Sequence, residues 1–155
     1  MEKRDKSYIH QRAELMAQLF LQEIGASVWT TAGGQDGPFD SIAAFITDDQ
    51  KLRISAIEVK ATEQPVGKVF HFQARPKWIR ALQHSNVPVL FLVADVKHNE
   101  LCYGWASEIR YDASDAKGRQ TVRCTLPVVR AADGKEQLVK TILAQPEFSE
   151  HAAVS

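Results

Sequence analysis

The 155 residues carry 19 basic and 19 acidic side chains, so the formal net charge is zero. The chain as a whole is no polycation, and any binding of nucleic acid must come from local charge asymmetry. Its length and its 45% apolar, 25% charged composition suit one globular domain, expected over residues 1–145 with a loose tail at 146–155.

No apolar run reaches the roughly 20 residues that span a bilayer. The first residues, Met1 to Lys6, lack the apolar stretch of a signal peptide, which predicts a cytoplasmic protein with no membrane partner. Cys102 and Cys124 lie in separate strand-like segments without metal-type spacing and are expected as buried free thiols.

In chain order, Ser7 to Gly25 predicts a helix. Ile9, Ala13, Met16, Ala17, Phe20, Leu21 and Ile24 form its apolar face, Ser7 is the expected N-cap and Gly25 the stop. Glu14 sits at the margin of that face. Ala26 to Thr31 suggests a short strand with Trp29 as a core anchor, and Gly33 to Pro38 a turn. Two strands follow, running from Pro38 to Ile46 and from Leu52 to Thr62, joined by the polar turn Thr47–Lys51.

On the second of these strands Glu58 and Lys60 are two apart and leave the same face, while Ile57 and Val59 point to the other. Asp40, near the start of the neighbouring strand, offers a second carboxylate. Mg²⁺ is a hard ion that takes one or two carboxylates together with waters and substrate phosphate oxygens. Asp40, Glu58 and the Val59 carbonyl could provide the protein's share for Mg²⁺ or Mn²⁺. Lys60 would then orient and deprotonate a water, or counter charge at a phosphate. The plainer alternative is a Glu58–Lys60 ion pair on a half-exposed strand, which contributes little.

The order of a helix with Glu14, Asp40 on a strand and Glu58-Val59-Lys60 on the next resembles the PD-(D/E)xK, or restriction-endonuclease-like, nuclease superfamily. The resemblance covers residues 12 to 105 and is nearest to a small stand-alone branch. The family's Pro-Asp is here Pro38-Phe39-Asp40, with one residue inserted, and Asp36 could supply the acid that this branch often carries upstream. The resemblance implies an α/β fold with a mixed central sheet flanked by helices. It also implies a metal-dependent hydrolase, an endonuclease or exonuclease acting on DNA, with Asp40, Glu58, Lys60 and Glu14 as the catalytic set. Small nucleases of this type often work as homodimers or beside a targeting partner. The runner-up function is a non-catalytic nucleic-acid-binding or protein-interaction module with the same architecture.

Between Glu63 and Asp95 there is no acid, while Lys68, Arg75, Lys77 and Arg80 fall in the interval. Arg75 to Ser85 predicts a short helix opened by Pro76, with Trp78, Ile79 and Leu82 inward and Lys77, Arg80 and His84 on another face. These four cations are the expected nucleic-acid contacts, against the plain reading of a solvated helix face.

Val87 to Val96 predicts a central strand covered on both faces, and Leu101 to Ala106, with Trp105 as a core anchor, its hairpin partner. Asp112 to Gly118 suggests a loop, Gln120 to Val129 a strand, Ala132-Asp133-Gly134 a turn and Lys135 to Gln145 a closing helix. His10, His71, His84, His98 and His151 show no paired zinc-type spacing, and no Gly-x-Ser-x-Gly motif occurs.

Overall fold

The structure, a computed structural model, describes residues 6–30, 39–116, 118 and 120–144. Asp36, the turn at 33–38 and the tail at 146–155 lie outside the described residues. The chain opens with helix α1 (Lys6–Glu23), followed by strands β1 (Ser27–Thr30), β2 (Ser41–Ile46), β3 (Leu52–Thr62) and β4 (Val69–Ala74). Helix α2 (Pro76–Gln83), β5 (Val89–Asp95) and β6 (Glu100–Trp105) come next. The described chain closes with β7 (Arg110–Tyr111), β8 (Val122–Pro127), β9 (Val129–Arg130) and helix α3 (Ala131–Leu143).

The architecture is mixed α/β. Six strands form the main sheet in the order β1-β2-β3-β5-β6-β9, with β3 and β5 parallel and the other pairs antiparallel. A parallel pair cannot be closed by a tight turn. The crossover between β3 and β5 therefore carries β4 and α2, and it lays both over one face of the sheet. There β4 joins β8 and β7 in a second, antiparallel sheet of three strands. Helices α1 and α3 cover the opposite face, so Ala13, Ala17, Phe20, Leu21, Leu138 and Ile142 pack on Ile57, Val59, Leu90 and Leu92.

The end of α1 shows how local chemistry sets a boundary. Gly25 takes φ 95°, its N–H donates to Gln22 O at 3.0 Å, and the N–H of Ala26 donates to Leu21 O at 2.9 Å. This pair of bonds satisfies orphan carbonyls and needs a left-handed residue, which glycine supplies without cost. The start differs from expectation: Lys6 and Ser7 both already lie within α1.

Val69–Ala74, to which the sequence reading assigns no element, is a strand. Two other expectations are corrected. Ala132-Asp133-Gly134 is not a turn but the beginning of α3. Gly134 is there for packing: a Cβ would collide with Tyr103 and Val129, and its bare backbone lets the Tyr103 hydroxyl donate to Gly134 O at 2.8 Å. Trp29 is 58% exposed and anchors no core. It sits on an edge strand opposite Ile42, and alternation turns it away from the face where its neighbour Val28 meets the α1 core. Trp105, by contrast, packs half-buried against the core beneath α1 and α3. Cys102 and Cys124 are both buried free thiols.

Candidate metal and catalytic centre

The register of the β2–β3 ladder pairs Ser41 with Ile57, and extending it by one residue sets Asp40 opposite Glu58. Asp40 is fixed there twice. Its N–H donates to Ile57 O at 2.9 Å, and its Oδ2 accepts the Val59 N–H at 2.8 Å. A side-chain carboxylate thus takes over a backbone partner at the point where the ladder begins. The rest of the carboxylate faces the groups around it.

On the face covered by α2 and the second sheet, Glu58 is buried and its Oε1 lies 3.5 Å from Lys60 Nζ. Burial pushes the Glu58 carboxyl up to about 7, and the nearby Asp40 carboxylate pushes in the same direction, while Lys60 works against both. Two aromatic rings hold the ammonium. Lys60 Nζ stands 5.6 Å from the Phe72 ring centroid and 5.3 Å from that of Trp78. Those distances are within cation–π range. Phe72 comes from β4 and Trp78 from α2, so the crossover that the parallel pair requires also builds the wall around Lys60.

On the α1 side of Asp40, His10 and Glu14 face each other one helical turn apart, with Nε2 to Oε1 at 3.0 Å. One ligand atom each from His10, Glu14 and Asp40 lie within 4.8 Å of one another. A cavity of about 230 Å³ opens beside them, with Glu14, Gln18, Thr30, Asp40, Ser41 and Val59 on its walls. The donor set of two carboxylates and an imidazole suits Mn²⁺ and its neighbours as well as Mg²⁺.

The structure brings Asp40, Glu58 and Lys60 together and sets Glu14 beside Asp40. Lys68, Arg75, Lys77 and Arg80 are all exposed and all lie on the crossover, where Trp78 links α2 to Lys60. His10, Phe72 and Trp78 are the additions to the site. The sequence signal for His10 is its spacing of four from Glu14 on a helix. Trp78 reads in sequence as an inward core residue, and only the tertiary fold brings its ring to an ammonium. Comparison with protein-family models, curated proteins and solved structures returns no match.

Proposed function

We propose that the protein is a metal-dependent nuclease with a restriction-endonuclease-like fold that hydrolyses phosphodiester bonds, with DNA as its substrate. The observation that carries this reading is the crowding of Asp40 and Glu58. Two carboxylates face each other across a ladder, and one of them is held near neutrality by burial and by the other. Such a pair is costly unless a cation or a proton is shared between them. The order of α1, β2, β3, crossover and parallel β5, with the acids at the β2–β3 pairing, supports the fold assignment.

Asp40, Glu58 and the Val59 carbonyl would hold Mg²⁺ or Mn²⁺, with Glu14 and His10 adjoining. A bound divalent cation supplies Lewis-acid polarisation of a phosphodiester oxygen and a nucleophilic water at neutral pH. The chain's own contribution is positional. The Val59 N–H orients Asp40, and Phe72 and Trp78 hold the Lys60 side chain beside Glu58. From there Lys60 acts on the attacking water or on the charge at the phosphate.

The test pairs a cleavage assay with calorimetric titration of Mn²⁺. Cleavage of duplex DNA should require Mg²⁺ or Mn²⁺ and stop with EDTA. Glu58→Ala should lose divalent affinity together with activity. Lys60→Ala should keep the affinity and slow cleavage by about 10²-fold or more. Nucleic acid bound by folded protein but never cut would replace this reading with a non-catalytic binding module. Equal cleavage by wild type and both variants would expose a contaminant.

A further inference from the structure

Two stretches of the sequence, residues 64–94 and 116–132, contain neither Asp nor Glu. They are far apart in the chain, and the fold pairs them. Strand β4 in the first and β8 in the second run antiparallel along their whole length, from Val69 opposite Pro127 to Ala74 opposite Val122. Strand β7 adds Arg110 opposite Thr125.

Alternation then sorts the side chains. Phe70, Phe72, Ala74, Cys124 and Leu126 go to the core. His71, Gln73, Arg110 and Arg123 are exposed on the opposite face. The register sets Arg110, Thr125 and His71 in one row across the three strands, with Arg123 beside Gln73 in the next. Within the first row Thr125 Oγ1 and His71 Nδ1 are 3.2 Å apart. The acids nearest β7 in sequence, Glu108 and Asp112, lie outside the strands, and Asp112 accepts from Ser114 N and Oγ.

Among the described residues this face is cationic, open and without aromatics, since Phe70 and Phe72 turn inward. Proteins that bind splayed single strands stack bases on exposed aromatic rings. A sheet face bearing guanidinium, imidazole, amide and hydroxyl groups, with Val69 and Pro127 at one end, instead offers hydrogen bonds to phosphate oxygens, which fix a duplex without reading its sequence. The strand is continuous with the other cations: β4 leads through Arg75 into α2, which carries Lys77 and Arg80, while Phe72 on its inner face lies against Lys60.

We propose that the outward face of the β7-β8-β4 sheet docks the sugar–phosphate backbone of duplex DNA. The choice of partner rests on the nuclease reading. The test uses the full chain with Glu58→Gln, so that the probe stays intact, and follows fluorescence anisotropy of a fluorescein-labelled duplex oligonucleotide across a salt series. Adding Arg110→Gln with Arg123→Gln should weaken binding at least tenfold at low salt. It should also flatten the log–log salt dependence by about 0.9 for each phosphate that the variant no longer neutralises. Lys140→Gln, on the opposite side of the molecule, should change neither quantity, and Arg123→Lys should preserve the slope. Because Arg110 and Arg123 are exposed, thermal melts should match the parent. Unchanged affinity and slope in the double variant overturn the proposal while leaving the nuclease reading intact if wild type still cuts. Tighter binding of a single-stranded oligonucleotide than of the duplex also overturns it. A parent protein that binds and cuts no nucleic acid removes both.

Discussion

Among the described residues Glu58 and Asp95 are the two buried carboxylates, and they sit on neighbouring strands of the same sheet. Asp95 closes β5 and is 1% exposed. It accepts the N–H groups of Lys97 and His98 at 3.1 Å each, and its Oδ2 meets His98 Nδ1 at 2.6 Å. All of these partners are local, and together they bend the chain into the turn before β6. Glu58 has no such set of backbone donors among the described residues. Its surroundings are a second carboxylate, one ammonium and an apolar wall, and its carboxyl is raised to about 7. At similar burial the two acids differ in what meets them: Asp95 is spent on backbone, and Glu58 is left facing other charges.

Stability against pH offers the largest break in this comparison. An ordinary glutamate titrates at 4.5, whereas Glu58 does so at about 7. Between these values the folded chain binds more protons than the unfolded chain, so the Glu58 contribution falls as pH rises and is flat above about 7. The loss across this window is at most about 3 kcal/mol. Glu58→Gln should therefore be more stable than wild type at pH 8, with the gap closing by pH 4.5. Urea denaturation of both proteins at the two pH values measures it. A parallel pair of pH profiles would show that Glu58 is as well satisfied as Asp95.

Asp95→Asn should behave in the opposite way. Removing the anion from two peptide donors and His98 costs about 1–3 kcal/mol, visible as a lower denaturation midpoint, and it should leave divalent affinity unchanged. A fall in Mn²⁺ affinity would put Asp95 in the site. The smallest effect belongs to Trp78→Phe. A phenyl ring preserves most of the packing against Phe91 but weakens the hold on Lys60 by no more than about 1 kcal/mol. Cleavage should slow several-fold with metal affinity retained.

Much of the frame is legible in the sequence because it is local. The apolar face of α1, the Gly25 stop, the Glu58–Lys60 alternation and the uninterrupted apolar run of β5 each follow from a short-range pattern. Strand β4 is not legible in the same way. Val69-Phe-His-Phe-Gln-Ala alternates properly, but its partner β8 begins almost fifty residues later and charge dominates its surroundings. Gly134 reads as a turn signal because a glycine that makes room for Tyr103 looks identical in sequence to one that bends the chain. For the site, Asp40, Glu58, Lys60 and Glu14 come from spacing and resemblance. The rings around Lys60 do not, since a cation–π contact between β3, β4 and α2 depends wholly on how the crossover folds back. No helix among the described residues is long and apolar enough to cross a membrane.

The bond between Val59 and Asp40 also makes the molecule its own spectrometer. The Val59 amide proton points at Asp40 Oδ2 over a 2.8 Å donor–acceptor distance. Its resonance frequency is therefore tied to the electron density of that oxygen. Any change in how Asp40 is engaged, whether by a cation, a proton or a neighbouring phosphate, displaces one identifiable cross-peak in a nitrogen–proton correlation spectrum. The same hydrogen bond that orients the carboxylate thus supplies a residue-specific titration signal in the native sequence, with no label attached to the side chains concerned.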